Sequence, residues 1–153
     1  MNQPALDLLI DTRAVALVDW PHPSLPEALA RTGRDVWVKD GPGEQDWSHR
    51  TMRDGLCLAT PTGTGPQSVD LLYAFRPLPE FESLVELAVR LGARAIWYQS
   101  GLGPDGARDL SACWLDPSDA AGIQSLAQAA SLVLVHQSSL ADAIARLPTD
   151  SLP

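Results

Sequence analysis

The polar residues with the most chemistry to offer sit at the ends of apolar runs. Arg76 closes the run Val69–Arg76, and Gln99, Ser100 and Gly101 close a second run that begins at Ala93. A guanidinium at a strand end suits a carboxylate or phosphate through its forked donors. A primary amide beside it offers a donor and an acceptor, to a ligand or to the neighbouring loop. Asp40 follows a third run, Asp35–Lys39, and Ser24 opens a helical pattern shortly after Asp19 and Trp20. The competing reading for Arg76 is a salt bridge to Asp19 or Asp40 across the strand ends. Asp19, Asp40, Arg76 and His136 would form an acid–base set in one crevice, but the plainer reading is solvated loop residues.

Other signals are weaker. His22, His49 and His136 share no ligand spacing with Cys57 or Cys113, which also lack a CxxC pair and read as buried thiols. Ser100 lacks the G-x-S-x-G setting of a nucleophile. Arg108 is the one cation near Cys113 in the sequence, so that thiol is not read as reactive. Residues 101–106, Gly-Leu-Gly-Pro-Asp-Gly, spell G-x-G-x-x-G after a strand. That fingerprint belongs to a first strand–helix turn with an acidic residue about 20 positions on. Here the following strand ends in His136-Gln137, so the match is read as accidental. No nucleophile or metal set can be assembled, and no enzymatic activity is expected.

Positioning these residues requires an alternation of strands and helices. The strands expected are Ala14–Asp19, Asp35–Lys39, Leu56–Ala59, Val69–Arg76, Ala93–Gln99 and Leu132–Val135. Ser24-Leu25-Pro26-Glu27 has the form of a capping box ahead of a helix that Gly33 ends. Phe81, Leu84, Val85 and Ala88 mark one buried helical face, closed by Gly92. Further helices are expected from Ser118, through Ile123, Leu126, Ala127 and Ala130, and over Leu140–Leu147, before a frayed tail. Residues 40–55 read as an irregular loop, 60–67 as a turn region and 103–115 as an insertion. Strand–helix–strand units make right-handed crossovers in a parallel sheet. The expectation is therefore an α/β, doubly wound parallel sheet in three layers, with ligands at the carboxyl ends of the strands.

Composition excludes several function classes. The 153 residues are 45% hydrophobic and 20% charged, as in an ordinary globular chain, and suit a single domain with its core over about 14–147. Eleven basic against nineteen acidic side chains give a net charge of −8, without a basic cluster, so nucleic acid is not an expected partner. No apolar run approaches the roughly 18 residues that span a bilayer, and no basic n-region opens a signal peptide. A cytoplasmic protein without a membrane partner is the default reading.

Several of these residues carry a resemblance. The chain resembles the small stand-alone CoA-binding proteins, Rossmann-like domains related to the N-terminal domain of the succinyl-CoA synthetase α subunit, over about residues 14–140. Val18-Asp19-Trp20-Pro21-His22-Pro23-Ser24-Leu25-Pro26 is similar to that family's turn after the first strand in its proline and serine positions. Val69–Arg76 looks like its V-D-x-V-x-V-F-R strand, and residues 92–101 look like its G-A-x-x-x-W-x-Q-x-G strand. This chain departs from the pattern at Val18 (a glycine in the family), Trp20 (a small serine) and Leu25 (an arginine). Asp40-Gly41 stands for the asparagine–proline pair after the second strand. The family cysteine is absent at Ser138.

The resemblance implies the fold, and coenzyme A as ligand. In the first turn, Pro21, Pro23 and Pro26 supply no N–H to a diphosphate, and Val18, Trp20 and Leu25 weaken or remove its seat. Arg76 and a stacking Trp20 would compensate, whereas Trp97 reads as sheet packing. The expected function is non-catalytic binding of CoA, an acyl-CoA or an adenine nucleotide in a regulatory or carrier role. Its expected contacts are Trp20, Ser24, Asp40, Arg76, Gln99 and Gly101, with Trp20 lining or blocking the pocket. The alternative is a degenerate member without a ligand that acts as a protein-interaction module. Self-association, such as a homodimer, would favour that alternative.

Overall fold

Runs that are apolar throughout make strands buried on both faces, and mixed runs make strands that meet water. Both kinds occur in the computed structural model, which describes residues 3–110 and 112–148. In order the chain forms α1 (Gln3–Ile10), β1 (Ala14–Val18), α2 (Leu25–Arg31), β2 (Asp35–Lys39), β3 (Trp47–Arg53) and β4 (Leu56–Pro61). Then follow β5 (Leu71–Phe75), a short 3-10 turn (Leu78–Glu80), α3 (Phe81–Arg90), β6 (Ala95–Gln99), α4 (Pro117–Ala129), β7 (Val133–Val135) and α5 (Leu140–Ala145). The frayed tail expected after Leu147 falls, from residue 149 on, outside the described residues.

The strands make one seven-stranded sheet in the order β4-β3-β2-β1-β5-β6-β7. β2, β1, β5, β6 and β7 run parallel. β3 and β4 run antiparallel, as a hairpin added beyond β2. The sheet is thus mixed, which corrects the wholly parallel expectation, and the loop expected over 40–55 contains a strand. β3 reads Trp-Ser-His-Arg-Thr-Met-Arg, too polar to announce itself, yet Trp47 and Ser48 are buried. Asp54 and Gly55 close the hairpin with φ of 52° and 79°, the left-handed pair that a two-residue turn demands.

Period-two alternation sorts each central strand between two cores. Val15, Leu17, Tyr73 and Trp97 pack with Leu9 of α1, Leu29 of α2 and Leu140 of α5. Ala16, Leu72, Ile96 and Tyr98 pack on the other face with Phe81 and Leu84 of α3 and Ile123 of α4. α3 buries the face its spacing predicts, and Gly92 follows at φ 69°. α1 has no counterpart among the expected elements, although it buries Ala5 and Leu9. None of the described helices is long and apolar enough to cross a membrane.

The capping box does not form. Ser24 has helical backbone (φ −79°, ψ −11°), and its hydroxyl accepts no bond from the helix. A capping oxygen needs extended backbone. Glu27 instead pairs with Arg31 one turn on, at 3.0 Å. The N-terminal anchor of the sheet is Asp70, whose carboxylate accepts from Arg13 N (2.8 Å) and Ala14 N (3.0 Å) and so ties β1 to the entry of β5.

Candidate functional site

The carboxyl ends of β1, β2, β5 and β6 meet at one edge, and Arg76 stands in the middle of it. Its Nη1 lies 3.2 Å from Asp19 Oδ2, and its Nη2 and Nε donate to the two Glu80 oxygens at 2.7 and 3.2 Å. Hydrogen bonding to Glu80 is the main reason that the guanidinium holds its proton more firmly than usual, and Asp19 adds to it. The side chain is about one-third exposed, so both ion pairs are screened by water. The salt-bridge reading of Arg76 therefore holds for Asp19. Glu80 has no counterpart among the expected partners, because Arg76 precedes the 3-10 turn and its i, i+4 spacing from Glu80 is not that of a helix face.

Asp19 shapes the first turn. It follows Val18 directly and adopts φ 62°, left-handed backbone in a residue other than glycine. Its Oδ1 accepts from Trp20 N at 2.8 Å while its other oxygen meets Arg76. A backbone amide and a guanidinium, the two donors that a phosphate would seek at this turn, both serve a carboxylate of the chain itself.

Three clefts divide the candidate residues. The first, about 540 Å³, opens between the exits of β5 and β6 and includes Arg76, Tyr98, Gly101, Arg108 and Trp114. The second, about 730 Å³, lies over the ends of β1 and β2 and brings together Trp20, Lys39, Asp40 and Arg76. The third, about 250 Å³, holds Ser24 and Gln99 with His22 and Asp142. Arg76 and Asp19 belong to both of the first two. Trp20 packs partly against the core and lines the second cleft without closing it. Asp40 faces Arg50 at 3.7 Å rather than Arg76.

Two of the expected contacts do structural work. Gln99 is 1% exposed, and its Oε1 accepts from Tyr73 Oη at 2.9 Å and from Leu140 N at 3.0 Å. Because Leu140 N can only donate, the amide's orientation is fixed. Gly101, at φ 70°, passes beneath Phe75, where a Cβ would come within 2.6 Å of the ring. Its N–H donates to Ala112 O and its carbonyl accepts from Asp109 N, which anchors the insertion. Within that insertion Gly106 N donates to Gly103 O in a local turn, so the glycine motif opens no helix. Trp97 is fully buried and donates to Ser138 O at 2.8 Å, in keeping with sheet packing.

No protein-family model matches the chain. No curated protein matches it either. Solved structures do resemble it. One is a hypothetical protein from Pyrococcus horikoshii OT3, with a TM-score of 0.58 and 16% identity over 95% of this chain and 92% of that one. Another is Prb, the PH1109 protein redesigned for binding, with a TM-score of 0.56 and the same identity and coverage. At that identity the likeness speaks for the fold alone.

The acid–base set does not assemble. His136 lines a separate recess of about 580 Å³ with Cys113 and Gln124, away from Asp19 and Arg76. Burial pushes the Cys113 thiol up to about 11, with Asp142 and Asp109 adding to the shift, which opposes a thiolate. Among the described residues no cluster of three or more His, Cys, Asp or Glu could hold a metal ion. Burial also lowers the His136 pKa, and its buried Nδ1 has no hydrogen-bond partner. The unfolded chain therefore takes up this proton at a higher pH than the folded one. Stability from this residue is present above about pH 6.5 and is lost as pH falls through the folded value. His136→Gln is expected to flatten the decline of Tm between about pH 6.5 and 5, read by thermal melts. An unchanged acid limb would assign that decline to other groups.

Proposed function

We propose that the protein is a non-catalytic binding module of the Rossmann-like, doubly wound kind, which takes CoA, an acyl-CoA or an adenine nucleotide along its carboxyl edge. The strand order β2-β1-β5-β6-β7, parallel and with helices on both faces, supports the architecture. The observation that carries the ligand reading is Arg76 placed between two open clefts, so that an elongated ligand crossing from one to the other passes a cation. In this reading the bound ligand serves a regulatory or carrier role.

A second reading has its own support. Asp19 engages Trp20 N of the first turn and Nη1 of Arg76, as expected of a member that has given up its ligand and serves as a protein-interaction module. Thermal-shift titration with CoA, acetyl-CoA, NAD and ATP separates the two. A ligand with a Kd near 100 μM, present at 1 mM, adds about 1.4 kcal/mol, or roughly 3–6 °C in Tm. Absence of any shift at millimolar ligand would retire the binding reading, and self-association on size exclusion would then favour the second.

A further inference from the structure

The cleft between the exits of β5 and β6 differs in chemistry from its neighbours. Its larger apolar side chains are Phe75, Leu78, Tyr98, Leu102, Trp114 and Leu115. Leu102 and Trp114 remain 45% and 41% exposed, large apolar side chains left facing a recess instead of joining the core. The wall they form is held in place. Ser100 Oγ donates to Trp114 O at 2.7 Å, and Gly101 N donates to Ala112 O at 3.2 Å. About 540 Å³ falls within the range of small-molecule pockets, roughly 300–1,000 Å³.

Its charges say what cannot enter. Asp19, Asp116 and Asp119 line it against Arg76 and Arg108. Arg76 is already answered by Asp19 and Glu80, and Asp116 accepts from Ser118 N at the start of α4. Three aspartates line the recess against two arginines, so it offers no net positive charge to a free phosphate or fatty carboxylate. A neutral apolar group meets no such penalty.

We infer that this recess seats the acyl chain of a medium-length acyl thioester, while the polar remainder of the ligand runs past Arg76 into the cleft over β1 and β2. This rests on the CoA-type reading above and names its ligand class. Each buried methylene adds several-fold to affinity, so an octanoyl chain outweighs the bare thiol.

The test titrates the full chain, by tryptophan fluorescence and calorimetry, with octanoyl-CoA, CoA and the neutral thioester octanoyl-N-acetylcysteamine. Octanoyl-CoA is expected to bind at least about tenfold more tightly than CoA. Leu102→Asp, at an exposed position, should abolish that preference. Trp114→Ala should weaken the neutral thioester in the same way. Octanoyl-CoA binding no more tightly than CoA, or a preference that survives both substitutions, would overturn the assignment. Binding of the neutral thioester without any binding of CoA would keep the acyl recess and overturn the nucleotide reading. Failure of all three ligands would overturn both.

Discussion

Gln99→Leu is expected to remove about 2–6 kcal/mol of stability, measured as the shift in a urea unfolding transition. The leucine fills nearly the same space, so cavity formation is a minor part of the loss. What changes is hydrogen bonding. Tyr73 Oη and Leu140 N both donate to the amide oxygen, and both residues are fully buried. Each donor left unsatisfied costs about 1–3 kcal/mol, against a total of about 5–15 kcal/mol for a typical domain. Adding Tyr73→Phe removes one of the stranded donors and should restore part of the loss. A destabilisation below about 1 kcal/mol would mean that water reaches these groups and that the amide does not lock β6 to α5.

Asp19→Gly should raise affinity for CoA by about 10- to 100-fold. The substitution releases Trp20 N and Arg76 Nη1 and removes the aspartate charge, while Glu80 keeps Arg76 Nη2 and Nε. It also puts glycine where the backbone is left-handed, at φ 62°. One new charge-assisted bond to a phosphate contributes about 1.5–3 kcal/mol, and a tenfold change in affinity needs about 1.4 kcal/mol, so a single such bond accounts for the gain. Pantetheine, which has no phosphate, should bind the variant and the parent chain equally. Unchanged CoA affinity in the variant would show that phosphate does not enter at this turn, and the ligand reading would lose its anion seat.

The parallel core was legible because its strands are continuous apolar runs bounded by Gly, Pro and Asp. The α3 face was legible because four apolar residues repeat with helical spacing. β3 escaped because a strand beyond the parallel core takes a polar face, and its seven residues include three cations or imidazoles. α1 escaped because eight residues give too short a window for periodicity. Among the candidate contacts, Arg76 lies at the edge, where its salt-bridge reading holds for Asp19 and not for Asp40. Gln99 and Gly101 were noticed for the right reason, as polar and small residues at a strand exit. Their roles were hidden because Leu140 and Phe75, the groups they answer, lie 41 and 26 residues away in the chain. The acyl recess was invisible for the same reason, since its walls come from Phe75, Tyr98 and the insertion, and only the fold sets them face to face.

Asp70 carries a consequence for the cost of assembling the sheet. The hairpin of β3 and β4 joins neighbours in the chain, whereas the bond from Ala14 N to Asp70 spans 56 residues. Closing a loop of that length costs roughly 2–3 kcal/mol of chain entropy beyond a short turn. The two backbone donors gathered by one carboxylate offset a good part of that cost, at the point where the long excursion through the hairpin returns to the centre of the sheet.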